Sequence, residues 1–368
     1  MNLPWGYLIA LLILSIPVIR LPRMPFALGT ACFIASIAIL ELPFLASAAF
    51  AASTALALAD GDLDSPITLV AAAIAMACLT ITTWRSLRAM PVLMRAMGDV
   101  RVSPRLPWAR ILLRPFRFRP RSIERVANLS YGPHGVRNLL DLYRHRSTPV
   151  NAPVLIHFHG GYYTTGHKNS QSLPLLHRLA EQGWVTISAN YRLGHEEGFE
   201  AHLIDAKRAV AWVRANAREW GMDPDRIVLS GSSAGAHMSA LAALTSGQAR
   251  FQPGFEDADT SVSGIVGLGG YYGAYFDGGP DGDPLTHANA DAPPFLIVHG
   301  SYDTVVPVAG ARRFAEGLQA VSTQRVAYAE LPGAQHGFDL FHSPRFEAVI
   351  NAVEAFATRA VDTAREER

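Results

Sequence analysis

The chain has 368 residues, and its 32 basic and 31 acidic side chains leave a net charge of only +1. This balance argues against a general nucleic-acid-binding protein. Hydrophobic residues make up 49% of the chain, which is long enough for one large domain or for two. The averages hide a division, because charged residues are almost absent from the first 84 positions.

This first segment, residues 1–84, contains only two basic and four acidic side chains. Its hydrophobic blocks cover residues 5–19, 26–59 and 66–84, and the third has the length of roughly 20 residues that crosses a bilayer as a helix. The second block is too long for one upright helix, so it either tilts or breaks near Glu41-Leu-Pro43 into two spans. We therefore predict a transmembrane anchor of three or four helices. A cleaved secretory signal in the first block and a buried helical domain are the alternatives.

Charges around these blocks predict the orientation of the anchor. Aspartates occupy one short loop, whereas arginines flank the spans on the other side: Asp60, Asp62 and Asp64 against Arg20, Arg23, Arg85, Arg88 and Arg95. The positive-inside rule then places the rest of the chain in the cytoplasm, as part of a multi-pass membrane protein. Both cysteines, Cys32 and Cys78, lie in hydrophobic blocks, so no disulfide is expected beyond them, which is compatible with a reducing compartment.

A basic stretch follows the anchor. Residues 85–125 hold eleven arginines against Asp99 and Glu124, and apolar side chains are interleaved with the arginines. Such a segment favours contact with anionic membrane lipids, and a solvated linker is the alternative. The remaining residues carry 19 basic and 25 acidic side chains, so no nucleic-acid partner is expected. We divide the chain into an anchor, 1–84, a juxtamembrane linker, 85–122, and a third domain, 123–368.

Short apolar runs alternate with helical stretches in this third domain. An antiparallel pair is predicted at residues 126–131 and 138–143, because Gly132-Pro-His-Gly135 supplies turn residues between them. Further strands are predicted at 153–159, 184–189, 226–230, 262–268, 294–299 and 325–331, with helices at 172–182, 202–216 and 308–320. This alternation predicts an α/β fold in which a mostly parallel sheet is flanked by helices on both faces.

One stretch of the domain indicates a nucleophile. An apolar run ends in Gly231-Ser-Ser-Ala-Gly235 and is followed at once by a helix-forming segment. A strand, a tight turn and a helix in this order expose the central Ser233 hydroxyl above the sheet edge, and the glycines allow strand and helix to approach closely. The helix N-terminus points its amides at the same place, which favours developing negative charge.

A second motif predicts an oxyanion hole. Two glycines, Gly160 and Gly161, follow the first buried strand in His159-Gly-Gly-Tyr-Tyr163. Consecutive glycines allow the backbone to turn its amides outward, where they can stabilise the oxyanion of a tetrahedral intermediate together with the amide of Ala234. A simple turn is the alternative for such a pair.

Two further loops complete the predicted site. Asp303 directly follows the predicted strand 294–299, and His336 follows the strand that ends at Leu331. The carboxyl ends of parallel strands share one edge of the sheet, so both residues are expected to meet Ser233 there. His336 would remove the proton of Ser233, and Asp303 would hold the imidazole in the required tautomer.

Aromatic residues near these loops are candidates for a substrate pocket. Residues 269–294 form a polar, glycine- and proline-rich stretch that could cap the site with Tyr271 and Tyr272, and Tyr162 and Tyr163 follow the double glycine. Surface packing is the alternative for all four tyrosines. Scattered histidines lack ligand spacing, so no metal and no cofactor are expected.

Together these motifs resemble the α/β-hydrolase fold over roughly residues 125–360, and within it the esterase and lipase branch related to hormone-sensitive lipase. Residues Gly231 to His237 match the nucleophile motif of that branch, and His159-Gly-Gly-Tyr162 matches its His-Gly-Gly-Gly motif except at Tyr162. A tyrosine there is more similar to kynurenine formamidases, feruloyl esterase-like proteins and isoprenylcysteine methylesterases. The resemblance implies Ser233, Asp303 and His336 as the catalytic triad, with Gly160, Gly161 and Ala234 as oxyanion donors.

The expected protein is a membrane-anchored serine carboxylesterase or lipase that forms an acyl-enzyme with small-molecule or lipid esters. An amidase, a formamidase or an acyltransferase could use the same residues. A membrane scaffold that keeps the fold without the chemistry is the alternative from another class, and it would not react at Ser233 with a fluorophosphonate.

Overall fold

A computed structural model describes residues 4–20, 25–116, 118–148, 150–276 and 279–366. Its eight strands form one sheet, in the order β1-β2-β4-β3-β5-β6-β7-β8. The strands are β1 (Ile123–Ser130), β2 (Leu139–His145), β3 (Ala152–Phe158), β4 (Val185–Ala189), β5 (Met222–Ser232), β6 (Gly264–Leu268), β7 (Phe295–Gly300) and β8 (Val326–Leu331). Strand β2 pairs antiparallel with β1 and β4, whereas the other pairs are parallel. The predicted mostly parallel sheet is confirmed.

Helices cover both faces of this sheet because its strands are apolar on both sides. Along β3, Val154 and Ile156 belong to one buried core and Leu155 to the other. The first core is closed by α8 (Gly198–Trp220), α9 (Ala234–Leu244) and α10 (Val308–Val321), and the second by α7 (Leu173–Glu181) and α11 (Pro344–Glu366). Because β3 to β8 run parallel to one another, their carboxyl ends lie at one edge of the sheet.

Within residues 4–20 and 25–87, the N-terminal segment folds into four α-helices: α1 (Trp5–Ser15), α2 (Phe26–Glu41), α3 (Pro43–Ala59) and α4 (Pro66–Leu87). The predicted break near Glu41 and Pro43 is present, and α2 and α3 are bent by 86° there. Proline has no amide hydrogen and readily begins a helix, so Pro43 ends the first helix and opens the second.

By length and composition, one helical stretch of the described residues could cross a membrane, Pro66–Met97, or two if the bent pair of α2 and α3 counts as one span. Only 22% of the most apolar window of Pro66–Met97 is buried within the protein. The number of spans and the orientation of the anchor stay predictions.

The predicted linker, residues 85–122, differs from the structure at its start. Helix α4 continues to Leu87, and α5 (Ala89–Met97) follows it directly. Leu93 and Met97 of α5 are fully buried in the same core as α11 and β8. Apolar side chains at helical spacing explain this packing. The many arginines of the segment led to its prediction as a linker instead. Helix α6 (Trp108–Leu113) lies further along the same segment.

A buried ion pair joins the N-terminal helices to the α/β unit. The Glu41 carboxylate at the end of α2 contacts the Arg345 guanidinium at the start of α11, and both side chains are fully buried. The hydroxyl of Ser343 donates a second hydrogen bond to Glu41 at 2.8 Å. A buried charge needs such partners because it has lost its hydration. The pair therefore attaches α2 firmly to the α/β unit.

We expect Glu41→Leu or Arg345→Leu alone to destabilise the protein by about 3–5 kcal/mol, because each leaves one buried charge without its partner. The double variant removes both charges and is expected to lose less than the sum of the single variants. Thermal unfolding of the full chain in detergent micelles measures this difference. Strictly additive losses would contradict the coupling.

Candidate active site

Ser233 lies between the end of β5 and the first residue of α9, as the sequence predicts. Its backbone has φ 54° and ψ −118°, a conformation that costs a non-glycine residue about 1–3 kcal/mol. The flanking glycines make this turn possible. A Cβ atom at Gly231 would lie 2.2 Å from the backbone of Gly235, and one at Gly235 would lie 2.1 Å from the carbonyl oxygen of Phe158.

The strained turn is held by the neighbouring strand. The amide of Ser233 donates to the carbonyl oxygen of Leu268 at the end of β6, at 3.0 Å, and the amide of Tyr271 donates to the carbonyl oxygen of Ser233 at 3.3 Å. Ser233 is only 8% exposed. Its side chain stands at the N-terminus of α9, where the helix dipole stabilises negative charge.

Asp303 and His336 form a hydrogen-bonded pair in the loops after β7 and β8. The His336 imidazole donates from Nδ1 to Oδ2 of Asp303 at 2.7 Å. The other carboxylate oxygen accepts the backbone amides of Val305 and Val306 at 2.9 and 2.7 Å. Nε2 of His299 lies 3.4 Å from Oδ2. These contacts fix the carboxylate and leave Nε2 of His336 as the nitrogen that can exchange a proton.

Gly269 links this pair to the serine turn. It follows Leu268, which bonds the Ser233 amide, and a Cβ atom at Gly269 would lie 3.6 Å from Nδ1 of His336 and 3.8 Å from Oδ2 of Asp303. Ser233, Asp303 and His336 are therefore on the same edge of the sheet, at the carboxyl ends of β5, β7 and β8.

Burial shifts the pKa of Asp303 and of His336 in one direction, and neighbouring charges shift each pKa in the other direction. Burial by itself would raise the pKa of Asp303, but His336 and His299 hold the pKa well below its usual range. Burial would likewise lower the pKa of His336, but the charge and hydrogen bond of Asp303, with a smaller effect of Asp339, raise it above the ordinary value. The imidazolium of His336 is thus stabilised by a carboxylate that stays ionised.

Asp339 stabilises the loops around the site through hydrogen bonds. Its Oδ2 accepts the hydroxyls of Ser172 and Ser232, both at 2.5 Å, and the carboxylate is almost fully buried. It thereby ties the loop of His336 to the residue before Ser233 and to the start of α7. Asp339 is not among the site residues predicted from the sequence, although its position three residues after His336 indicates that it lies in the same loop.

The two predicted glycine donors differ in the structure. The Gly160 amide donates to Oε1 of Gln171 at 2.6 Å, so it does not face the serine as a free donor, and its predicted role needs correction. The amides of Gly161 and Ala234 have no acceptor among the residues that the structure describes. Gly161 has φ 125°, which only glycine adopts readily, and Ala234 begins α9. No pattern in the sequence connects Gln171 with this loop.

The predicted pocket tyrosines separate into two groups. Tyr162 and Tyr271 are 46% and 41% exposed and lie near the open edge. Tyr163 and Tyr272 are buried instead, which corrects the prediction that they line a pocket. The hydroxyl of Tyr163 hydrogen-bonds to Nδ1 of His237 at 2.7 Å, and the Tyr272 ring stacks 4.5 Å from Phe314. Packing within the core explains both positions.

Helix α2 lies against the loops of Asp303 and His336. The hydroxyl of Thr304 donates to the carbonyl oxygen of Gly29 at 2.8 Å, and the Phe33 ring meets the His336 imidazole edge-on, with centroids 5.7 Å apart. A Cβ atom at Gly29 would lie 2.2 Å from the carbonyl oxygen of Thr304, so the approach requires glycine. The sequence predicts this helix only as part of an anchor, and its contact with the site was not predicted.

The same helix reaches the loop of the double glycine. Phe26 lies 4.8 Å from the Tyr162 ring, and Tyr162 lies 4.9 Å from Phe276, between ring centroids. These three rings are each more than 40% exposed. Together with Phe33 they place apolar surface from two parts of the chain around the mouth of the site.

No group of three or more histidine, cysteine, aspartate or glutamate side chains within the described ranges is arranged to hold a metal ion. The histidines near the site bond to protein atoms instead: His159 through Nδ1 to the carbonyl oxygen of Gly160 at 2.6 Å, and His299 through Nε2 to that of Val306 at 2.9 Å.

We expect the His336 imidazole to titrate above the usual value of about 6.5, and Asp303→Asn to lower its pKa, because the neutral amide no longer stabilises the imidazolium. NMR titration of the full chain with ¹³C-labelled histidine measures both values. Asp281→Asn, which changes an exposed aspartate, is the matched control. An equal effect of the two substitutions would contradict the assigned pair.

Sequence comparisons find similar proteins that are named as ester hydrolases or esterases. A family model described as BD-FAE matches residues 140–272. The probable carboxylic ester hydrolase LipM of Mycobacterium tuberculosis is 42% identical over 64% of this chain and 61% of its own length. The isoprenylcysteine alpha-carbonyl methylesterase ICME of Arabidopsis thaliana is 30% identical over 51% of each chain. The chain thus spans between half and about three fifths of these relatives.

Solved structures share the fold of the α/β unit. A truncated carbohydrate esterase from gut microbiota has a TM-score of 0.57 at 21% identity and covers 65% of this chain and 96% of its own. Native esterase 2 of Thermogutta terrifontis has a TM-score of 0.56 at 25% identity and covers 67% of this chain and 95% of its own. The likeness establishes an α/β-hydrolase fold for this unit.

Proposed function

We propose that this chain is a serine carboxylesterase that cleaves hydrophobic carboxylic esters through Ser233, His336 and Asp303. The observation that carries the proposal is the 2.7 Å hydrogen bond between His336 and the buried Asp303, at the sheet edge where Ser233 stands at the start of α9. The similarity to proteins named as ester hydrolases supports the same reaction class.

In the proposed reaction, the Ser233 hydroxyl attacks the ester carbonyl carbon while Nε2 of His336 takes its proton. Ser233 alone is almost fully protonated at neutral pH, so it needs this base. Asp303 keeps the second imidazole proton on Nδ1 and stabilises the imidazolium that forms. The raised pKa of His336 makes it a stronger base, but it is active only where pH keeps it neutral.

The oxyanion of the tetrahedral intermediate would be held by the amides of Gly161 and Ala234, assisted by the dipole of α9. The Gly160 amide can join them only if the side chain of Gln171 releases it. His336 then returns its proton to the departing alkoxide, which leaves the acyl group on Ser233. Water, activated by His336 in turn, hydrolyses this acyl-enzyme, and the cycle requires no cofactor.

The exposed aromatic side chains around the opening of the site favour a hydrophobic substrate. Phe26 and Phe33 of α2 stand beside Tyr162 and His336, so an apolar ester would replace exposed ring surface with buried contact. The exposed apolar surface of Pro66–Met97 supports anchoring in a membrane from which such esters can arrive. We place the α/β unit on the cytoplasmic side, on the arginine distribution alone.

Amidase, formamidase or acyltransferase activity with the same three residues is the alternative reaction. Turnover of matched ester, aryl-formamide and lipid substrates, each with and without an added alcohol acceptor, distinguishes them. Release of acid from esters alone supports the carboxylesterase, whereas a transferred acyl product or faster formamide cleavage would contradict it.

We expect Ser233→Ala to lower turnover of a short p-nitrophenyl ester by roughly 10⁴-fold or more, because no other group can form the acyl-enzyme. It should also abolish labelling by a fluorophosphonate probe. Ser246→Ala, which changes an exposed serine just after α9, is the matched control and should retain both. Labelling that survives in Ser233→Ala would identify a different nucleophile, and no labelling of the native chain would favour a scaffold.

We expect Phe33→Ala to lower kcat/KM about fivefold, because it removes an edge contact with His336 worth about 1 kcal/mol. Steady-state kinetics with a soluble ester measure the loss. Ile34→Ala changes an exposed residue of the same helix and serves as the control. If both variants behave alike, α2 affects the protein only through general packing.

A further inference from the structure

Two adjoining cavities lie on the side of the molecule where α3 and α6 meet the α/β unit. One has a volume of about 530 Å³ and is lined by four arginines, Arg110, Arg114, Arg119 and Arg121. The other has a volume of about 330 Å³ and is mostly apolar. Phe116 and His342 line both cavities, so the two adjoin at these side chains.

The basic cavity carries more positive than negative charge. Among the described residues that line it, the one carboxylate is that of Glu181, which lies 3.2 Å from Arg110. The Arg119 guanidinium donates to the carbonyl oxygen of Ile123 at 3.0 Å. Arg114 and Arg121 have no carboxylate within salt-bridge distance among the described residues. Guanidinium groups present several donors in one plane and suit the oxygen atoms of a phosphate.

The apolar cavity lies between the arginine-lined cavity and the N-terminal helices. Phe44 of α3 meets Trp108 of α6 edge-on, with ring centroids 6.0 Å apart. Leu45, Leu112 and Leu113 line the cavity and are 52%, 51% and 79% exposed. Side chains of this kind remain in water only at a cost of roughly 25 cal/mol per Å² of apolar surface, so an apolar ligand would stabilise the region.

We propose that the double cavity binds one anionic phospholipid, with its phosphate at Arg114 and Arg121 and an acyl chain against Leu45 and Leu112. A free phosphate would leave the apolar cavity exposed, and a neutral lipid would leave the arginines without an anion. Only an amphiphile with a negative headgroup satisfies both cavities. The site lies beside α3 and the start of α11, apart from Ser233, and its ligand is not the ester that is cleaved.

The test titrates dioleoylphosphatidylglycerol into the full chain in detergent micelles, with bound lipid counted by native mass spectrometry. We expect Arg114→Gln with Arg121→Gln to weaken binding roughly 30-fold, the factor that corresponds to about 1 kcal/mol for each arginine. Arg218→Gln with Arg313→Gln removes the same charge from exposed positions elsewhere and should change affinity little. Equal losses in both double variants would overturn the site.

Further arms of the experiment identify the ligand and the apolar half. Dioleoylphosphatidylcholine and glycerol 3-phosphate should each bind at least tenfold more weakly than dioleoylphosphatidylglycerol, and tight binding of either one overturns the proposal. Leu112→Gln should weaken binding, whereas Leu285→Gln, at another exposed leucine, should not. Melting temperature establishes that each variant is folded, and lipid binding is measured independently of ester hydrolysis.

Discussion

The strained backbone of Ser233 is the constraint on which the site depends. A residue with φ 54° between a strand and a helix is stable only when both elements approach to van der Waals contact, and Gly231 and Gly235 allow that approach. The hydrogen bond from the Ser233 amide to the carbonyl oxygen of Leu268 holds the turn against β6, and Gly269 after it leaves room for His336. The position of the serine therefore determines where the proton-transfer pair can stand.

Support for this geometry comes from residues that do no chemistry in the proposed reaction. The Asp339 carboxylate accepts hydrogen bonds from the hydroxyls of Ser172 and Ser232, and the Phe33 ring of α2 packs against the His336 imidazole. The buried pair of Glu41 and Arg345 attaches α2 to the α/β unit. Through this pair α2 is held where its Phe33 ring packs against His336, so the N-terminal helices form part of the wall of the site.

The sheet and the loops of the site could be predicted from the sequence because their signals are local. Alternation of apolar strands with helices indicates a parallel sheet, and such a sheet places its strand ends on one edge. Asp303 and His336 each follow a strand within a few residues. The hydrophobic N-terminal blocks were also visible in the sequence, but it left open whether they form three or four helices and whether the second block breaks near Pro43.

Tertiary packing decided what these local signals do not contain. The Gln171 side chain accepts a hydrogen bond from the Gly160 amide across a loop, and Tyr163 and Tyr272 turn inward although each directly follows an exposed tyrosine at the site. Helix α5 enters the core although its segment is rich in arginine. The sequence alone determined the strands of the sheet, the order of the candidate site residues and the turn at Ser233, since each rests on neighbouring residues. Which amides remain free, and which helix covers His336, depends on contacts between residues far apart in the chain, which only the folded structure brings together.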